Sequence, residues 1–154
     1  MQARALGKAQ SVIRSAGEGP VIGVDTEVVL DDGRVLGQPV DASAALKMLT
    51  SLAGRKHRVL SGIAVLGMYE QVACAQTIVR FRALDAAELG AYVARGEWRG
   101  RAGGYAIQES GAALIAEIRG DYANVVGLPV TLLQELLARE GISIVPVEGI
   151  SNTE

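Results

Sequence analysis

Apolar residues in this 154-residue chain recur at helical spacing, then at strand spacing, and the two periods alternate along its length. No other feature narrows the fold as much, because a stretch patterned for one element does not settle as the other. Gln2 to Ser15 places Ala5, Ala9, Val12 and Ile13 at helical spacing, with Arg4, Lys8 and Arg14 interspersed. Gly17 to Pro20 is a turn. Val21 to Val24 reads as a buried strand that continues extended to Leu30. Asp31-Asp32-Gly33 signals a turn, and Arg34 to Gly37 supplies a short hairpin partner.

Asp41 can cap a helix that runs to Ala53, with Ala45, Met48, Leu49 and Leu52 as its apolar stripe and Gly54 as its stop. His57 to Gly67 reads as a strand with Val59, Ser61, Ile63 and Val65 on one face, and it turns near Tyr69 and Glu70 into Val72–Phe81 as an antiparallel pair. Asp85 and Glu88 form a capping arrangement, and Leu84 and Leu89 sit where a hydrophobic staple belongs, so a helix follows to Arg95 and stops at Gly96. Trp98 to Gly104 is a basic, glycine-rich loop. Ala112 to Ile118 reads as a strand. Pro129 takes a first helical position ahead of Val130, Leu133, Leu136 and Leu137, and Gly141 ends that helix before a last strand, Ile142 to Val147. This order predicts one α/β domain over residues 1–154, with a mixed sheet flanked by helices.

Composition excludes several classes. The chain has one cysteine and one histidine, which rules out an internal disulfide and a zinc site of the usual ligand count. Cys74 lies in the apolar run Val72-Ala73-Cys74-Ala75 and reads as core filling. A net charge of −2 argues against a general grip on nucleic acid. No window is long and apolar enough for a membrane span, and no signal-peptide pattern opens the chain, so the expected compartment is the cytoplasm.

Three places could carry chemistry. Asp25-Thr26 stands where a buried strand emerges, a favoured ligand position in open α/β sheets. Asp25 could hold a divalent cation or activate water, and Thr26 could hydrogen-bond a substrate. Glu27 repeats on the face of Asp25, so the two carboxylates could share a Mg²⁺ ion. The same residues also suit a solvated polar turn. Arg99-Gly100-Arg101-Ala102-Gly103-Gly104-Tyr105 puts two guanidinium groups in a flexible loop that could cradle phosphate, or simply be solvated. His57 reads as a polar residue at a strand start; no Ser–His–Asp order accompanies it.

Taken together, these stretches resemble the Maf family of nucleoside triphosphate pyrophosphatases. The matching segments are Val24-Asp25-Thr26-Glu27-Val28-Val29, Gly37-Gln38-Pro39, and Leu52-Ala53-Gly54-Arg55-Lys56-His57-Arg58-Val59-Leu60-Ser61-Gly62. They continue in Tyr92 through Gln108, which contains Gly96-Glu97-Trp98-Arg99-Gly100-Arg101-Ala102-Gly103-Gly104-Tyr105-Ala106-Ile107-Gln108, and end in Gly120-Asp121-Tyr122-Ala123-Asn124-Val125-Val126-Gly127-Leu128-Pro129. The resemblance covers nearly the whole chain. It implies a Maf/ITPase-like α/β fold with a mixed, twisted sheet. It also implies a hydrolase that cuts between the α and β phosphates with the help of Mg²⁺ or Mn²⁺, leaving a nucleoside monophosphate and pyrophosphate. The Tyr105-Ala106-Ile107-Gln108 version looks like the subgroup acting on dTTP and UTP.

By the same resemblance, Asp25 is the general base or metal-linked carboxylate. Thr26 and Gln108 match positions tied to base selection, and Arg101 stands where the family has a phosphate-facing lysine. Three departures accompany the match. The family opens with a strand and a Ser-x-Ser-Pro-Arg-Arg loop, whereas this chain starts at the helix near Met1. The expectation is therefore an N-terminally truncated fold whose open sheet edge invites a homodimer. The family's Lys-Pro is Gln38-Pro39 here, which puts Gln38 at the substrate in place of a cation. Ser61 replaces a usual threonine. The alternative expectation is a catalytically impaired relative that binds nucleotide or a protein partner in cell division.

Overall fold

The computed structural model describes residues 1–13, 17 and 19–145. Five strands form one sheet: β1 (Val21–Leu30), β2 (Val35–Leu36), β3 (Lys56–Leu66), β4 (Glu70–Phe81) and β5 (Ile115–Arg119). Their spatial order is β2-β1-β3-β4-β5. Every pairing among the described residues is antiparallel. The α/β class with flanking helices stands, but the sheet is antiparallel throughout where a mixed one was expected: tight turns join β1 to β2 and β3 to β4, and β1–β3 and β4–β5 also pair antiparallel across longer connections. The outer edge of β1 pairs with β2 only at Val28 and Val29, so Val21 to Glu27 has no strand partner on that side among the described residues.

Period-two alternation gives β1 and β3 two different faces. Gly23, Asp25 and Glu27 share one face with Gly62 and Ala64; Val24, Thr26 and Val28 share the other with Ser61, Ile63 and Val59. Helix α1 (Gln2–Val12) lies on the first face through Ala5 and Ala9, both fully buried. Its close seat depends on glycine. A Cβ on Gly23 would lie 2.1 Å from the Ala5 carbonyl oxygen, and one on Gly62 would lie 2.7 Å from the Gln2 amide nitrogen. Val12 and Ile13, expected in the same apolar stripe, stay half exposed. The expected end of this helix, Ser15, lies outside the described residues.

The opposite face carries the main core. Helices α2 (Ala42–Leu52) and α3 (Ala86–Arg95) bury Leu49, Leu52, Leu89 and Tyr92 against Val28, Val59, Val79 and Phe81. Both helix starts follow the sequence. Asp41 accepts from the Ala44 amide, and Asp85 and Glu88 close a complete capping box. A second cluster joins Ile63 and Val65 to Leu133, Leu136 and Leu137 of the last helix, Val130–Ala138.

Four expectations change. The strand expected over Ala112–Ile118 is β5, Ile115–Arg119, preceded by a 3-10 turn at Glu109–Leu114. In that turn Gly111 lies against the Ala106 carbonyl, where a Cβ would lie 1.6 Å away, so the close approach requires glycine. A five-residue helix, α4 (Tyr122–Val126), stands where no element was expected; the last helix is therefore α5. No strand forms over 142–145. The Ile142 amide caps the Leu137 carbonyl and the Ile144 amide donates to Gln134 Oε1, so these donors are spent on α5. The rest of that expected strand, to Val147, lies outside the described residues. Cys74 is exposed rather than core filling. It is paired with Gly62 on the α1 face, but α1 covers mainly β1 and β3 and leaves the surface of β4 open.

Candidate active site

A cavity of about 240 Å³ opens at the outer edge of β1. Strand β1 gives it Asp25 and Thr26, α1 gives Lys8, and the segment after β2 gives Gln38. The glycine-rich loop gives Arg101 and Tyr105, and the end of α4 gives Gly127. Asp25, Thr26, Gln38 and Arg101, named from sequence, thus meet in one place. Glu27 lies on the Asp25 face beside that cavity. Gln108 does not reach it: it is exposed and sits at the start of the Glu109–Leu114 turn.

Asp25 and Thr26 enter the cavity from opposite faces of β1. On the α1 face, Asp25 accepts from Arg4 Nε at 2.7 Å and from Lys8 Nζ at 2.8 Å. Lys8 also donates to the Val24 carbonyl at 2.9 Å. Arg4 reaches on to Glu27, and the Met1 amino group stands 3.9 Å from that carboxylate. Partial burial pushes the Asp25 carboxyl up, but the hydrogen bonds and charges of Lys8 and Arg4 outweigh it and hold the group below the ordinary aspartate range. Asp25 is therefore a firmly ionised carboxylate at neutral pH.

On the other face, Thr26 Oγ1 and Ser61 Oγ share a 2.8 Å hydrogen bond, because the two residues are directly paired across β1 and β3. Thr26 Oγ1 also stands 3.5 Å from the Gly127 carbonyl, a long contact that leaves room for a competing partner. Val24, Val28, Val59, Val125 and Val126 line the cavity around these hydroxyls. One side of the pocket is thus charged, and the other is apolar with the Thr26 hydroxyl, backed by the fully buried Ser61.

The basic loop is held at both ends. Trp98 Nε1 donates to the Val93 carbonyl at the end of α3, and Arg99 stacks over the Trp98 ring at 4.9 Å. Gly103 takes a φ of +72°, and its N–H donates to the Gly37 carbonyl at 3.0 Å, which ties the Arg101 loop to the Gln38 segment. Among the described residues, no hydrogen bond or ion pair occupies the Arg101 guanidinium, which is exposed at the cavity. Five N–H donors are available there for an anion.

Below the cavity floor, Tyr105 turns its hydroxyl inward to His57, with Oη 2.8 Å from Nε2. His57 was expected as a polar residue at a strand start, and it is the second residue of β3, yet it is fully buried. Burial pushes its pKa down to about 4, so the ring is neutral at neutral pH. Its Nδ1 has no partner among the described residues. A neutral imidazole and a phenol carry one proton each but share a single contact. Whichever group donates, one buried donor goes unmatched, at a cost of about 1–3 kcal/mol.

Sequence reasoning missed Lys8 as a site residue. Its signal was present: Ala5 and Ala9 mark the buried stripe of α1, and Arg4 and Lys8, one turn apart, flank that stripe. The His57–Tyr105 pair had no sequence signal, since the two residues are 48 positions apart.

Comparisons with known proteins give the chain's family. Residues 1–140 match the family model described as Maf-like protein. The chain is 46% identical over 147 residues to the dTTP/UTP pyrophosphatase of Moorella thermoacetica, covering 94% of this chain and 75% of that protein. It is 46% identical over 141 residues to the dTTP/UTP pyrophosphatase of Symbiobacterium thermophilum, covering 91% and 72%. With the protein of that name from Clostridioides difficile it shares 42% identity over 135 residues, covering 86% and 69%. The chain therefore belongs to the Maf-like protein family.

Proposed function

We propose that this protein is a nucleoside triphosphate pyrophosphatase acting on dTTP, UTP or related nucleotides, releasing the monophosphate and pyrophosphate. The observation that carries the reading is Asp25, an ionised carboxylate facing a cleft that also holds Lys8 and the unpaired guanidinium of Arg101. The relatives' names supply the substrate class. The apolar side with Thr26 suits the base, and the charged side suits the phosphates.

In the reaction, a water oxygen attacks the α phosphorus, the bond from that phosphorus to the α–β bridging oxygen breaks, and pyrophosphate leaves. Asp25 accepts the water's proton. Its present partners hold its basicity low. Phosphate drawing Lys8 toward itself removes one of those cations and makes Asp25 a better base. Arg101 offsets charge on the departing pyrophosphate.

Asp25 and Glu27 lie on one face and would take a Mg²⁺ or Mn²⁺ ion arriving with the triphosphate only once Arg4, which bridges the two carboxylates, gives way; Mg²⁺ is commonly held by one or two carboxylates plus substrate phosphates. No cluster of three or more such donors exists among the described residues, so the donor set does not fit a metal held by protein alone. When bound, the ion would neutralise phosphate charge and polarise the attacked phosphorus.

Pyrophosphate release from dTTP and UTP, measured with Mg²⁺ or Mn²⁺, tests this reading. Asp25→Ala is expected to lose about 10²–10⁴-fold in kcat. Undiminished release by that variant would remove Asp25 from the mechanism. We read the molecule as cytoplasmic, where a nucleoside triphosphate substrate would be met; no described helix is long and apolar enough to cross a membrane. We also read it as a homodimer whose interface leaves the cleft at the β1 edge open to substrate. Light scattering on the purified protein checks the second point: a monomer at micromolar concentration would refute it.

A further inference from the structure

We propose that His57 is a positioning residue that acts through Tyr105 to hold the mouth of the nucleotide pocket in its working shape. The inference rests on the reading of that pocket as the nucleotide site. His57, Phe81 and Tyr105 form a closed trio of edge-on rings, with centroids 4.9 to 5.5 Å apart. Packing of this kind fixes ring planes. The 2.8 Å bond between the Tyr105 hydroxyl and His57 adds a directional restraint that packing alone does not supply. Tyr105 is 5% exposed and directly follows Ala102-Gly103-Gly104, so pinning it pins that segment.

The consequence then travels a short way. Gly103 donates to the Gly37 carbonyl, and Arg101 and Gln38 stand one or two residues from those groups. Both side chains face the cavity and are exposed. Neither has a hydrogen-bond partner of its own among the described residues, so their placement depends on the backbone beneath them. An unmatched buried donor in the His57–Tyr105 pair is costly, and it buys no packing that phenylalanine at both positions would not give. Orientation of the loop is what the polar pair adds.

The test compares the intact wild-type chain with Tyr105→Phe, His57→Leu and His57→Gln. The first readout is amide hydrogen exchange at Gly103, taken as a ratio to the Leu49 amide in the core helix α2, so that a general loss of stability cancels. The second is the split between KM and kcat for dTTP. Tyr105→Phe and His57→Leu are expected to raise the Gly103 ratio by about tenfold, and to raise KM and lower kcat together so that kcat/KM falls by at least a similar factor, the size of one lost neutral hydrogen bond. His57→Gln, whose amide can still meet the hydroxyl, is expected to keep both near wild type. An unchanged Gly103 ratio in Tyr105→Phe overturns the proposal, as does an unchanged kcat/KM in that variant. If the wild-type chain releases no pyrophosphate from any nucleotide, the functional reading fails, and the Gly103 ratio alone still decides whether His57 and Tyr105 anchor the loop.

Discussion

Asp25 and Thr26 are consecutive, yet one is bound by cations of α1 and the other by a hydroxyl of β3. This follows from strand geometry, which sends neighbours to opposite faces. The same scale yields a clean titration. His57 is the sole histidine, and its pKa falls from 6.5 unfolded to about 4 folded. Between those values the unfolded chain binds the extra proton, so stability rises with pH and is lost as pH drops from about 6.5 to 4. The full span is about 3 kcal/mol. Urea unfolding at pH 7 and pH 4.5 should show most of this loss, and His57→Phe should flatten it. Glu109 is the one described non-glycine residue with positive φ, at 54°. Glu109→Gly is expected to stabilise the fold by about 0.5–1 kcal/mol, the left-handed penalty less the entropy of glycine; a lower Tm would contradict this. Side-chain identity at Asp25, Gln38 and Arg101 was readable because each falls in a motif. The exposure of Cys74 was not, because an apolar run gives no sign of which strands a helix will cover.

Elements were legible where they carry their own terminators. Asp85 with Glu88 and Gly96 bracket α3, and the observed helix fits between them. Asp85→Ala should cost about 1 kcal/mol, measurable by chemical denaturation. The α4 turn was bracketed as well, by Asp121 accepting from Ala123 and by Gly127, but five residues show no apolar period. The expected strand over 142–147 failed for a different reason. Its β-branched residues suit a strand, but the amides of Ile142 and Ile144 already bond to α5. The seat of α1 is the most sensitive element contact. Gly23→Ala would drive a methyl into the Ala5 carbonyl, and the helix carrying Lys8 must shift. The expected cost is about 1–3 kcal/mol in stability, with a loss of pyrophosphate release larger than the fraction unfolded explains.

Across the molecule, a net charge of −2 and a locally cationic cleft oppose each other. Attraction of a polyanionic substrate therefore depends on Lys8 and Arg101 at short range. Raising ionic strength from about 0.05 to 0.3 M should raise KM several-fold with little change in kcat. The α/β class and element order could be read from alternating periods. The antiparallel pairing throughout and the inward turn of Tyr105 could not, since both arise from contacts between distant parts of the chain.

The cavity is assembled from residues as far apart in sequence as Lys8 and Gly127, whereas β3 and β4 are joined by a turn of three residues. Loop-closure entropy makes the hairpin quick to form and the cleft slow. During refolding, then, strand signal should return before nucleotide affinity does. A newly made chain would pass through an interval in which its sheet exists and its substrate does not yet recognise it.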